Sequence, residues 1–119
     1  MRQPFAHDAR LRMEVDEDPQ AVGAAVTVAL CGDWRHEPPC PLAPHHTDAE
    51  RRGDQVRVRM LFATEAGEEA EVRRRIEAAL RLGRWADDTG AVTQWQVVSS
   101  GPAALLSSEL EHGQRLANS

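Results

Sequence analysis

Apolar and polar residues alternate with a period of two in two places along the chain. In Gln55 to Thr64, QVRVRMLFAT, Val56, Val58, Met60 and Phe62 point one way and Arg57, Arg59 and Leu61 the other. Leu11, Met13 and Val15 alternate with Arg12, Glu14 and Asp16 in the same manner. Successive strand side chains face opposite sides of a sheet, so both stretches predict half-buried strands.

Elsewhere the spacing becomes helical. Val72, Ile76, Ala79 and Leu80, with Leu82 as a further candidate, form one stripe across Glu68 to Leu82, and Gly83 ends it. Acidic residues crowd the start of that helix and Arg81 sits near its end, which suits the helix dipole. Val22, Val26, Ala29 and Leu30 repeat the spacing after Asp18-Pro19, an N-cap followed by a first-turn proline. Val26-Thr27-Val28 also suits a strand, but the caps favour a helix closed by Gly32. Ala91 to Ser99 reads as a further strand, with Val92 and Trp95 marking its faces and Gly101-Pro102 breaking it. Residues 1–9 read as a flexible lead-in and Ala49 to Asp54 as a polar turn tipped by Gly53-Asp54. Residues 10–102 then form one domain, and residues 103–119 a C-terminal segment with a short helix using Leu105, Leu106 and Leu110 before it frays.

The two halves echo each other. Arg10-Leu11-Arg12-Met13 resembles Arg57-Val58-Arg59-Met60, and Val22, Val26, Ala29, Leu30 and Trp34 align with Val72, Ile76, Ala79, Leu80 and Trp85. Two strand–helix–strand units in series predict an α+β fold of the ferredoxin-like, split βαβ kind, β-α-β-β-α-β. Its antiparallel sheet would carry two helices on one face, and a partner or the C-terminal segment would cover the other. The second strand falls in Cys31 to Asp48 and lies at an edge, where its prolines at 38, 39, 41 and 44 are tolerated.

Bulk properties narrow the function. A chain of 119 residues with 41% hydrophobic and 28% charged residues fits one globular domain. Every basic residue is Arg, and the Ala/Arg/Gly bias suggests GC-rich coding DNA of a bacterial type. A net charge of −5 argues against nucleic acid as partner, because phosphate contacts need a basic face. Arg73-Arg74-Arg75 is diluted by Glu68, Glu69, Glu71 and Glu77 and reads as a solvated helix face. No apolar run approaches a membrane span and the first residues lack a secretory core, so a cytoplasmic location is expected. Two cysteines there argue for free thiols or ligands rather than a disulfide.

Chemistry concentrates in Cys31 to Asp48, CGDWRHEPPCPLAPHHTD. His36, Cys40, His45 and His46 offer ligands that zinc and copper favour, with Cys31 or Asp48 to complete a shell. Adjacent histidines on extended backbone point to opposite faces, so His45 and His46 would not share one ion. The alternative is structural: Cys31 a small buried residue, Trp34 a core plug, the His and Pro residues a rigid loop. A thiol enzyme using Cys40 beside a histidine, oriented by Glu37 or Asp48, is a further reading. No nucleophile elbow, phosphate loop or H-E-x-x-H accompanies it. The remaining class is a dimeric module binding a small molecule or protein on the open sheet face, lined by Trp95, Arg57 and Arg59. The sequence therefore points to a small, non-catalytic domain with either a zinc or copper site or an open-face binding site, homodimeric in the second case.

Overall fold

Gly53, at φ 65°, starts a two-residue loop that folds β2 (His45–Arg52) back onto β3 (Gln55–Glu65) with Arg52 opposite Gln55. Glycine takes this left-handed conformation without steric cost, and a positive φ at the first loop position matches the twist of a hairpin. The computed structural model describes residues 1–31 and 43–118. On the other side of β3 lies β1 (Arg2–Arg12), followed by β6 (Gln96–Ala103). The order β2-β3-β1-β6 is antiparallel throughout. The domain is thus α+β.

β1 begins at Arg2, where a flexible lead-in was expected, and it is a central strand. Its inward residues are Phe5, His7, Ala9 and Leu11. A histidine in the second position hides that alternation from a hydrophobicity count. Pro4 is tolerated because β6 pairs with β1 only from Ala6 onward, so no described strand lies where its missing N–H would point. The strand stops at Arg12, and Val15, expected on its face, is 72% exposed in the turn that leads to α1.

α1 (Gln20–Cys31) starts as the caps predict, with the Gln20 amide donating to the Asp18 carboxylate at 2.9 Å. α2 (Glu69–Leu82) follows a 3₁₀ turn at Ala66–Glu68 and ends at Gly83, φ 71°. The inward faces of β1 and β3 join Val22, Ala25, Val26 and Leu30 of α1 and Val72, Ile76, Ala79 and Leu80 of α2 in one core. The apolar helix stripes read from the sequence are therefore buried at these positions, while Ala29 is partly buried and Leu82 is exposed.

β2 is an edge strand, as expected, and starts within Cys31 to Asp48, but it runs on through residues 49–52, read as a polar turn. Its inward positions are His45, Thr47, Ala49 and Arg51, too polar to register as a strand. The Arg51 guanidinium donates to the carbonyls of Glu17 at 2.6 Å and Gly53 at 2.8 Å, which fastens the strand to the turn before α1.

The stretch read as one strand from Ala91 to Ser99 is divided. β5 (Val92–Gln94) pairs with β4 (Arg84–Ala86), and β6 begins after Trp95. Trp95 is 6% exposed, its indole N–H donating to the Leu80 carbonyl at 2.9 Å and its amide to Gly83 at 3.0 Å. It caps the end of α2 rather than lining the open sheet face. β6 runs through Gly101 and Pro102, which its edge position permits.

The terminal helix expected from Leu105, Leu106 and Leu110 is present as α3 (Leu110–Ala117), after a 3₁₀ turn at Ser107–Glu109. It lies on the outer sheet face, with Gly113 against Pro4, and covers the end that carries Ala6, Leu61 and Ala63. The other end of that face is open.

Candidate functional site

His45 and His46 occupy opposite faces of β2. The inward His45 accepts from the Thr27 hydroxyl at Nε2, 3.0 Å, and donates from Nδ1 to the Ala43 carbonyl at 3.1 Å. Both ring nitrogens thus make contacts within the fold. The outward His46 lies 3.3 Å from the Asp48 carboxylate, and its ring stands 4.8 Å from that of His112 on α3. His36 and Cys40 lie outside the described residues, as do Trp34 and three of the prolines. Among the described residues no three His, Cys, Asp or Glu side chains are grouped to hold a metal ion.

A polar cluster that the sequence did not announce lies under β1. His7 is 1% exposed. Arg73 of α2 donates to its Nδ1 at 2.9 Å and to the Ala6 carbonyl at 2.8 Å, while Glu69 holds the same guanidinium at 2.8 Å. Arg73 also lies over the Phe62 ring, 5.1 Å from its centroid. Since Nδ1 accepts, Nε2 carries the proton and donates to Glu77 at 2.7 Å. The Ser100 hydroxyl of β6 donates to the same Glu77 oxygen.

This arrangement has the residue types of a nucleophilic triad without its connectivity. A serine nucleophile needs an imidazole nitrogen free to accept its proton. Here Arg73 occupies one nitrogen and the other gives its proton to Glu77, so Ser100, although its oxygen lies 3.1 Å from Nε2, donates to the carboxylate. Burial pushes His7 below the ordinary histidine range; the Glu77 carboxylate opposes this and Arg73 reinforces it. Burial pushes Glu77 upward, but its bonds to Ser100 and His7 outweigh this and hold it below the usual carboxylate range. The cluster ties α2 and β6 to β1. Its sequence signal was a polar i,i+4 series, Glu69, Arg73 and Glu77, running beside the apolar stripe.

The outer face presents a ladder of charges set by the strand register. One row reads Asp48, Arg59, Asp8 and Gly101 across β2, β3, β1 and β6. Arg59 is saturated there. It forms a two-pronged pair with Glu109 at 2.7 Å, bonds both Asp8 oxygens at 3.0 Å and donates to the Ala104 carbonyl at 2.7 Å. Those contacts use all its donors. The Glu109 bond, outweighing burial, raises the guanidinium further above its normal range, and Arg59 in turn holds Glu109 below the ordinary carboxylate range. Arg59 thus anchors the C-terminal segment instead of serving as a ligand-binding group.

The next row is open: Glu50, Arg57, Arg10 and Ser99. A hollow of about 260 Å³ lies over it, lined by Arg10, Glu50, Arg52, Gln55, Val56 and Arg57. A second, of about 200 Å³, shares Arg10 and Arg57 and reaches Ser99 and Gly101. Two other hollows lie away from this face. One, of about 470 Å³, is bordered by Asp16, Asp18, Asp87 and Trp85; there Asp87 is engaged in its own turn with Thr89 and Ala91. The other, of about 310 Å³, is an apolar groove between α1 and α2 that includes Val28, Ala78 and Leu82. No described helix is long and apolar enough to cross a membrane. Compared with known proteins, the chain matches no protein-family model and no curated protein sequence.

Proposed function

We propose that the chain is a ferredoxin-like, non-catalytic binding module whose ligand sits on the open half of the outer sheet face. The strand order β2-β3-β1-β6, and the shared core of α1 and α2, support the split βαβ reading. The observation that carries the site is the half-cover given by α3. One end of the outer face is closed over Ala6 and Leu61, while the central strands expose Arg10 and Arg57 at the other. Ligand groups on adjacent central strands are held rigidly by their backbone pairing. His7, Glu77 and Ser100 belong to the fold in this reading. A fragment screen against the ¹⁵N-labelled chain tests it. Ligand-induced shifts should cluster at Ala9–Leu11, Gln55–Arg57 and Ser99. Hits confined to the opposite, helical side would overturn the assignment.

A second reading retains a zinc or copper ion at His46, the outward-facing histidine, with His112 beside it as an imidazole the sequence had not paired with it. Native mass spectrometry of untagged protein before and after chelation tests that reading. A bound-metal mass that survives the His46→Ala change would remove it.

A further inference from the structure

We propose that the open row binds an oxyanion, the carboxylate or phosphate of a small molecule, gripped between Arg10 and Arg57 with the Ser99 hydroxyl beside it. This rests on the open-face reading above and specifies its ligand. Arg10 and Arg57 are direct cross-strand partners on the two central strands of the sheet. Like charges in that relation repel, so a sheet gains nothing from the pair unless an anion lies between them. The neighbouring carboxylates meet only part of that charge. Asp8 is committed to Arg59 through two contacts at 3.0 Å and reaches Arg57 only at 3.3 Å. Glu50, across from Arg57 in the register, turns its carboxylate to Arg52 at 3.4 Å. The Arg10 guanidinium makes no ion pair or hydrogen bond with any described residue.

The site is therefore a cationic pair in a chain whose net charge is −5. The two side chains border both hollows of the open half, which places them at its centre. Guanidinium groups are suited to this work because their planar forks match the paired oxygens of carboxylate and phosphate. Ser99 lies opposite Arg10 on β6 and is exposed, so its hydroxyl is available as an additional neutral donor. Strong desolvation is not required, and the shallow hollows leave the rest of the ligand in water.

The test is a titration of the ¹⁵N-labelled full chain at constant ionic strength, adjusted with chloride. Inorganic phosphate is the probe in one arm and citrate in the other. Saturable shifts of the Arg10 and Arg57 side-chain N–H resonances, with a dissociation constant below about 1 mM for either probe, support the proposal. Saturation by phosphate alone assigns a phosphate ligand, and by citrate alone a carboxylate one. Arg10→Gln and Arg57→Gln should each weaken binding about tenfold, the scale of a lost charge-assisted hydrogen bond. Arg84→Gln, exposed on β4 away from this face, should change it less than about twofold. Linear, non-saturating shifts with both probes overturn the proposal, and so does an affinity that Arg10→Gln leaves unchanged. Fragment hits on the open row that survive Arg10→Gln would overturn the oxyanion assignment while leaving the binding-module reading standing. Fragments that bind only elsewhere would end both.

Discussion

His7 concentrates the polar energetics of the core in one ring. Its Nδ1 faces the Arg73 guanidinium at 2.9 Å, so a second proton on the ring would sit against a fixed positive charge and displace that bond. Its folded pKa lies below the ordinary value, so the unfolded chain takes up a proton first as pH falls. The stability His7 supplies is fully present above about pH 6.5, its ordinary value, and declines as pH drops toward its lower folded value. Glu77 acts in the same direction at lower pH, because its folded pKa is also depressed. We expect the melting temperature to fall between about pH 7 and pH 5. His7→Gln should flatten that fall, since the amide offers an acceptor to Arg73 and a donor to Glu77 without titrating. A melting curve that is equally steep in His7→Gln would disprove the role of the ring. Arg59 is the second such residue. Its carboxylate partners are both largely shielded, so Arg59→Met should cost roughly 2–3 kcal/mol in urea unfolding, the range for hydrogen bonds to charged groups.

At the scale of elements, α3 is held by a close approach and one ionic clamp. A Cβ built on Gly113 would stand 2.7 Å from the Pro4 ring, nearer than side-chain atoms approach. Helix propensity alone makes Gly→Ala worth nearly 1 kcal/mol of gain. We expect the opposite sign for Gly113→Ala, a net loss of about 1–2 kcal/mol from forced separation of α3 and β1. Chemical denaturation will show which term wins, and a stabilised variant would mean that α3 packs less closely than described. The element pattern also shows where sequence is legible. β3 and α2 were readable because their apolar periods are unbroken, and Gly83 closes α2 as expected. β2 was placed correctly as an edge, yet its span was missed, because Thr47, Ala49 and Arg51 face inward without an apolar signature. The start of β1 was missed because His7 and Pro4 interrupt an alternation that is otherwise regular.

The whole molecule depends on β3 and β1 as its central pair. Met60 is fully buried there, opposite His7, so Met60→Asp places a carboxylate in the core. We expect loss of the cooperative fold, a cost above about 4 kcal/mol, visible as collapse of the far-ultraviolet circular dichroism. A folded variant would mean that the strand is less central than its register indicates. For the candidate site, sequence offered Arg57 and Arg59 as a facing pair but gave no weight to Arg10 on that face. Spacing within one strand says which residues share its side, and nothing about which side chains on other strands will occupy them. The local rules of the chain were enough to determine the two helices and the strand at Gln55 to Thr64, and the echo between the two halves added the edge position of β2 and the need for a cover on the outer face. Periodicity and caps act between near neighbours, and they hold before the chain collapses. Which half of that face α3 covers, that Arg59 is consumed by Asp8 and Glu109, that Arg10 stands beside Arg57, and that His7 meets Glu77 and Ser100 were decided only by the tertiary structure. Each depends on strand register and on contacts between residues far apart in the sequence, where pairing geometry rather than local preference sets the outcome.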